Sequence, residues 1–229
     1  MKNIIAIDGP SGVGKSTAAK RVASLLNWSY MDTGAMYRAV TLALLRTNVS
    51  IDDKTGLKRV LASLDYKQLG ELFFINGEDV SEAIRNSEVT KNVSAVSADG
   101  SVREALVRLQ RELGKNGKWV VDGRDIGSVV FPDAARKIFL TASQEVRAQR
   151  RFLELKAKGI QTTFEEVLKD QVRRDHIDST RDISPLRKAD GAVELDSSNL
   201  SLEEVVDIII SYQNYIPALN SRTHRHYKT

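Results

Sequence analysis

The chain contains no cysteine, so disulfides and thiolate-held metals are excluded. Histidine occurs only at positions 176, 224 and 226, which argues against a histidine-built zinc site. Long apolar runs are missing too. The stretch at 4–7 is too short for a secretory leader and passes directly into glycines. No segment approaches the roughly 20 apolar residues of a membrane span. A cytoplasmic protein is expected. RNP-type aromatic motifs, helix-turn-helix signals and zinc patterns are also absent. Trp28 and Trp119 sit beside or within predicted strands and read as packing residues rather than base-stacking platforms. The net charge is +4, compatible with either a nucleic-acid surface or a site for small anions. The placement of the arginines has to decide.

At 229 residues the chain suits one domain with a small inserted lobe. Residues 3–8 read as a buried strand, 15–26 as an amphipathic helix, 28–31 as a strand, and a helix capped by Asp32 or Thr33 runs through 45. That rhythm breaks over about 55–96, where short apolar runs around Asn76-Gly77 suggest a hairpin and a β-rich insertion. It resumes with a helix at 102–115, strands at 118–121 and 136–141, helices at 144–158 and 163–174, a strand at 192–195, and a closing helix at 200–215. Ser201 and Glu204 form a capping box at the start of that last helix. Alternating strands and helices imply a parallel sheet covered on both faces.

The segment G-P-S-G-V-G-K-S, Gly9 to Ser16, fits the phosphate-loop pattern at every fixed position, between a strand and a helix. Glycines let backbone N–H groups close around phosphate oxygens, and the helix adds its positive end. Gly9, Pro10, Ser11, Gly12, Val13, Gly14, Lys15, Ser16 and Thr17 are therefore the expected ATP cradle. Lys15 faces the β/γ-phosphates, and the Ser16 hydroxyl is a ligand for Mg²⁺. The loop alone suits a kinase, a GTPase or a motor. The guanine-reading N-K-x-D sequence is absent, which argues against a GTPase.

Three arginine-bearing segments bear on the acceptor. Arg38 lies a turn into the second helix, in D-T-G-A-M-Y-R. Arg124 and Asp125 follow a buried strand in V-V-D-G-R-D, where residues face the ligand crevice of an open α/β sheet. Arg174, Asp178 and Arg181 are spaced for one helix face; the same spacing suits a solvated charged face. Asp122 closes its strand and is either a Mg²⁺ partner, directly or through water, or a turn residue. The basic helix at 147–158 interleaves acids such as Glu154, which weakens a nucleic-acid reading.

These segments, with K-I-F-L-T-A-S, R-A-Q-R-R and R-R-D-H-I-D-S-T-R-D-I-S-P-L, resemble the bacterial cytidylate kinases from near residue 3 to near 200. The resemblance implies a P-loop NTPase-type α/β fold. Its core would cover about 1–54, 97–147 and 186–219, with a monophosphate-binding lobe at 55–96 and a helical lid at 148–185. Residues 220–229 would be a frayed tail. It implies phosphoryl transfer from ATP to CMP or dCMP by a monomer that needs no nucleic acid or membrane. Arg38, Arg124 and Arg174 would hold the acceptor phosphate, and Asp178 the ribose. Ser94, Arg103, Asp125 and Arg181 would read cytosine. Thr33 and Tyr37 belong to the substrate side, although Tyr37 could equally pack its helix. Arg147, Arg150 and Arg151 would cover the ATP phosphates, with Arg124, Arg174 and Arg150 or Arg151 nearest the transferred group. The base chemistry agrees: a carboxylate can accept from cytosine N4, and Arg and Ser can donate to N3 and O2. Uracil carries a carbonyl at position 4 and would leave that carboxylate unpaired. Two other readings stay open: a P-loop kinase for another small acceptor, and an ATP-binding regulatory or RNA-binding protein.

Overall fold

The structure is a computed structural model, and residues 3–212 are described. A five-stranded sheet forms its centre, in the order β2 (Ser29–Asp32), β6 (Trp119–Gly123), β1 (Ile4–Asp8), β7 (Arg136–Thr141) and β8 (Val193–Asp196). Every pairing is parallel. β1 is central and wholly buried, which explains its unbroken apolar run. Its side chains alternate between two cores. Ile4 and Ala6 face α2 (Thr33–Arg46), α4 (Ser87–Ala98) and α5 (Gly100–Gly114), while Ile5 and Ile7 face α1 (Lys15–Leu26) and α8 (Leu202–Ser211).

Local chemistry sets the ends. Asp32 caps α2 by accepting from Ala35 N at 2.8 Å. Asn27, at φ 53°, terminates α1. Both oxygens of the Ser201–Glu204 capping box are engaged at α8. The closing helix is thus described as Leu202–Ser211, and residues 213–215 of its expected range lie outside the described residues, as does the 220–229 tail.

The insertion is not mainly β. It holds α3 (Lys54–Ser63), a small antiparallel sheet of β3 (Tyr66–Leu69), β4 (Leu72–Ile75) and β5 (Glu78–Asp79), and α4. The Asn76-Gly77 turn joins β4 to β5, with both residues at positive φ. α3 escapes sequence reading because Gly56 interrupts its first turn; its N–H bonds the capping Asp53 instead. α7 (Phe164–Thr180), following α6 (Gln144–Ala157), runs six residues past the expected end at 174. It therefore carries Arg174 and Asp178, with Arg181 as its C-cap. A further short turn, Ile126–Val130, has π-type bonding and follows β6.

Candidate active site

The carboxyl ends of β1, β2 and β6 open into one cleft of about 570 Å³. At one end lies the glycine loop. Gly9 has φ +151°, and a Cβ there would stand 2.1 Å from Leu140 O, so only glycine fits against β7. Lys15 is buried and donates to Pro10 O at 2.7 Å. Burial, then the neighbouring Arg124, lowers its ammonium pKa to about 7. Ser16 Oγ donates to Asp122 Oδ2 at 2.7 Å, and Tyr30 OH to Oδ1 at 2.8 Å. Burial, then Asp32, raises Asp122 to about 6. The Ser16–Asp122 pair is a hard-oxygen donor set at the phosphate end. It fits Mg²⁺ held jointly by one carboxylate and a nucleotide.

In the middle stand Arg38 of α2, Arg124 from the loop after β6, and Arg174 of α7. Arg38 donates to Ile84 O and Thr90 Oγ1 at 3.2 and 3.0 Å. Burial, then Arg174, lowers it to about 10. Arg174 is lowered by burial and next by Arg124, and its buried Nε has no hydrogen-bond partner among the described residues. Arg124 Nε donates to Asp178 Oδ2 at 2.7 Å. Burial works against the Arg124 charge, but Asp178, with Asp122 and Asp175 behind it, raises the pKa on balance. Burial likewise opposes the Asp178 charge, yet Arg124 leads the arginines that bring its pKa down. Cations that depress one another around an open space make a site for an anion.

The far end is a buried cluster around Asp125. Arg103 ion-pairs with its Oδ2, and Arg181 Nη2 lies 3.6 Å from Oδ1. Arg103 stacks over the Tyr37 ring at 5.6 Å and donates to Ser97 O at 3.2 Å. Burial raises the Asp125 carboxyl against the pull of Arg103 and Arg181. Arg103 Nε and Arg181 Nη2 are buried without hydrogen-bond partners among the described residues. Native interiors seldom leave donors so, and a polar ligand would satisfy them.

A family model described as cytidylate kinase matches residues 5–215. The chain belongs to the cytidylate kinase family. It is 49% identical over 206 residues to a cytidylate kinase of Fusobacterium nucleatum subsp. nucleatum, covering 90% of this chain and 94% of that one. It is 51% identical over 203 residues to a cytidylate kinase of Caldanaerobacter subterraneus, covering 89% and 91%. Among solved structures, an uncharacterized protein from Eubacterium ventriosum aligns with TM-score 0.51 at 13% identity over 93% of this chain and 99% of that one, a likeness of fold alone. Among the described residues no helix is long and apolar enough to cross a membrane.

Most of the residues singled out in the sequence meet at this cleft. Ser11, Gly12, Gly14, Lys15, Ser16, Thr17, Thr33, Tyr37, Arg38, Ser94, Arg103, Asp122, Arg124, Asp125, Arg150, Arg151, Arg174, Asp178 and Arg181 all line it. Gly9, Pro10 and Val13 stand behind it, with Val13 in the core. Arg147 is placed differently from expectation. It is buried, and its guanidinium is consumed by Ser11 O at 2.9 Å, Ala142 O at 3.0 Å and Asp175 at 2.5 Å. It braces the loop rather than facing the cleft. Arg150 donates to Ser197 O at 2.7 Å and Arg151 to Glu154 at 2.7 Å, both at the cleft rim. Thr33 Oγ1 donates to Asp122 O at 2.6 Å, tying α2 to the end of β6.

Four residues escaped the sequence reading. Tyr30 orients Asp122. Asp175 pairs with Arg147 and accepts from Ser11 N at 3.3 Å. Arg85, from the short turn before α4, lines the cleft 3.8 Å from Asp32. Asp8 accepts from Ile126 N and Gly127 N, each at 2.7 Å. Only Asp8 carried a signal: a buried acid ending an otherwise apolar strand needs a partner.

Proposed function

We propose that the protein transfers the γ-phosphoryl group of ATP to CMP or dCMP, giving ADP and CDP or dCDP. The observation that carries this reading is the layout of one cleft. The glycine loop, the arginines 38, 124 and 174, and a buried, partly unsatisfied polar cluster around Asp125 all line it. The acceptor phosphate is ionised at neutral pH, so no general base is needed. Catalysis is positioning and charge stabilisation.

Backbone N–H groups of the loop and Lys15 hold the donor phosphates, with Ser11, Gly12, Gly14 and Thr17 around them. Arg38, Arg124 and Arg174 hold the acceptor phosphate in line. Arg150 and Arg151 approach from the rim as the helical segment 148–185 closes, which excludes water and suppresses hydrolysis. Ser16 and Asp122 would hold Mg²⁺, which supplies charge to the β- and γ-oxygens when bound. Asp178 meets the ribose, while Asp125 accepts from cytosine N4 and Arg103, Arg181 and Ser94 donate to N3 and O2. In this reading the segment 55–96 and that helical segment are the moving parts. The protein works as a cytoplasmic monomer on small molecules and needs no nucleic acid.

The test is steady-state ADP production with CMP, dCMP, UMP and AMP side by side. CMP and dCMP should turn over well and UMP and AMP poorly. Preference for AMP or UMP would move the assignment to another acceptor. ATP binding without acceptor-dependent turnover, together with RNA affinity that falls steeply with salt, would make it a binding protein.

A further inference from the structure

The turn that presents Arg124 and Asp125 to the cleft lacks internal support at its start. Its backbone bonds run back toward its start, from Val129 N and Val130 N to Asp125 O and from Phe131 N to Ile126 O, and so use its first carbonyls but not its first amides. The first N–H groups of such a turn have no partner within it. Ile126 and Gly127 are buried, so water is poorly placed to replace one. Asp8 fills this gap with both carboxylate oxygens, at 2.7 Å each.

Asp8 comes from the donor side of the site. It is the last residue of β1, paired with Gly123 on one side and Phe139 on the other. The next residue is Gly9, locked against Leu140. Asp8 is thus fixed by two neighbouring strands, is 3% exposed, and reaches 118 residues along the chain to the acceptor turn. Thr33 steadies the end of β6, bonding Asp122 O, and Arg103 and Arg181 meet the Asp125 side chain. Among these supports, only Asp8 holds the backbone immediately after Asp125 and belongs to the strand that carries the phosphate loop.

We propose that Asp8 is a positioning residue for acceptor recognition: by pinning the Ile126 and Gly127 amides it aims Asp125 at the base and Arg124 at the acceptor phosphate, in register with the phosphate loop. The inference rests on the base-reading role of Asp125 proposed above. A carboxylate suits the task because two adjacent N–H donors need two acceptor oxygens on one short side chain. Asparagine offers one acceptor and turns an N–H₂ group toward the second amide.

The experiment measures equilibrium affinities for CMP, UMP and ATP by calorimetry, together with KM and kcat, on the whole chain. The proteins are wild type, Asp8→Asn, Asp8→Glu and Asp125→Ala, each checked for folding by circular dichroism. The expected result for Asp8→Asn is a fall in the CMP-to-UMP affinity ratio of about tenfold, the scale of one lost hydrogen bond in a buried site. ATP affinity should stay within about twofold of wild type, a change well under one lost hydrogen bond. Asp8→Glu, which keeps both acceptors on a longer arm, should lie between, and it is read in the same way if Asp8→Asn does not fold. Two results overturn the proposal while Asp125→Ala erodes the ratio. One is an unchanged ratio in the folded Asp8 variant; the other is a parallel loss of CMP, UMP and ATP affinity, the mark of a general structural role. An unchanged ratio in Asp125→Ala removes the premise instead, and overturns the proposal at the base-reading step.

Discussion

At the scale of single residues, charge and burial decide what each group can do. Lys15 is buried beside Arg124, and burial leads the causes that bring its pKa to about 7. Its place there is explained by the phosphates it would meet, not by stability. Lys15→Ala should therefore leave circular dichroism at wild type while turnover falls by about 10²–10³, the usual loss for one transition-state charge contact; a coupled ADP assay measures it. Asp125 differs because its charge is shared with Arg103 and Arg181 inside the protein. Removing Arg103 would leave a buried carboxylate short of its main partner, at a cost of about 3–5 kcal/mol. Arg103→Met should thus lower stability in urea and CMP affinity together. Lys15→Ala should leave stability in urea unchanged.

At the scale of elements, the loop is held by what packs behind it. Gly9→Ala would drive a methyl group into the Leu140 carbonyl, so β1 and β7 would have to part. The expected loss is about 3 kcal/mol or more, because backbone on backbone has no rotamer to yield. Urea denaturation followed by the fluorescence of Trp28 and Trp119 would read it. α7 gives the opposite case. Thr163 and Glu166 close its far end with a capping box, remote from Arg174 and Asp178. Thr163→Ala should cost about 1 kcal/mol and leave the KM for CMP unchanged, as a melt and a rate assay would show. The inserted sheet is tied to the core by Gln68, which accepts from Asp32 N at 3.1 Å and donates to Tyr30 O at 3.0 Å. One side chain thereby covers the open edge of β2.

At the scale of the whole molecule, binding and stability are linked. A ligand that meets the unsatisfied donors around Asp125 binds only the folded chain. CMP at about 100 times its dissociation constant should stabilise the fold by about 2.7 kcal/mol. At the same concentration UMP should shift the melting temperature less, and differential scanning fluorimetry would register the difference.

The sequence by itself determined the phosphate loop, β1, α1, α2 and β7, because there the signals are local: an apolar run, a glycine pattern, a cap within three residues. It also named most of the cleft, since arginines and acids just past strand ends point to the crevice wherever the sheet is parallel. The helical character of the insertion was hidden by Gly56 and by α4, whose capping Asn86 lies beyond a short irregular turn. What only the tertiary structure decided were pairings across long spans of chain. Arg147 faces Ser11 and Asp175 instead of the cleft, Tyr30 holds Asp122, and Asp8 holds the turn after Asp125. A residue type states which bonds a side chain can make. Which partner lies within 3 Å depends on how the strands stack, and no local pattern carries that distance.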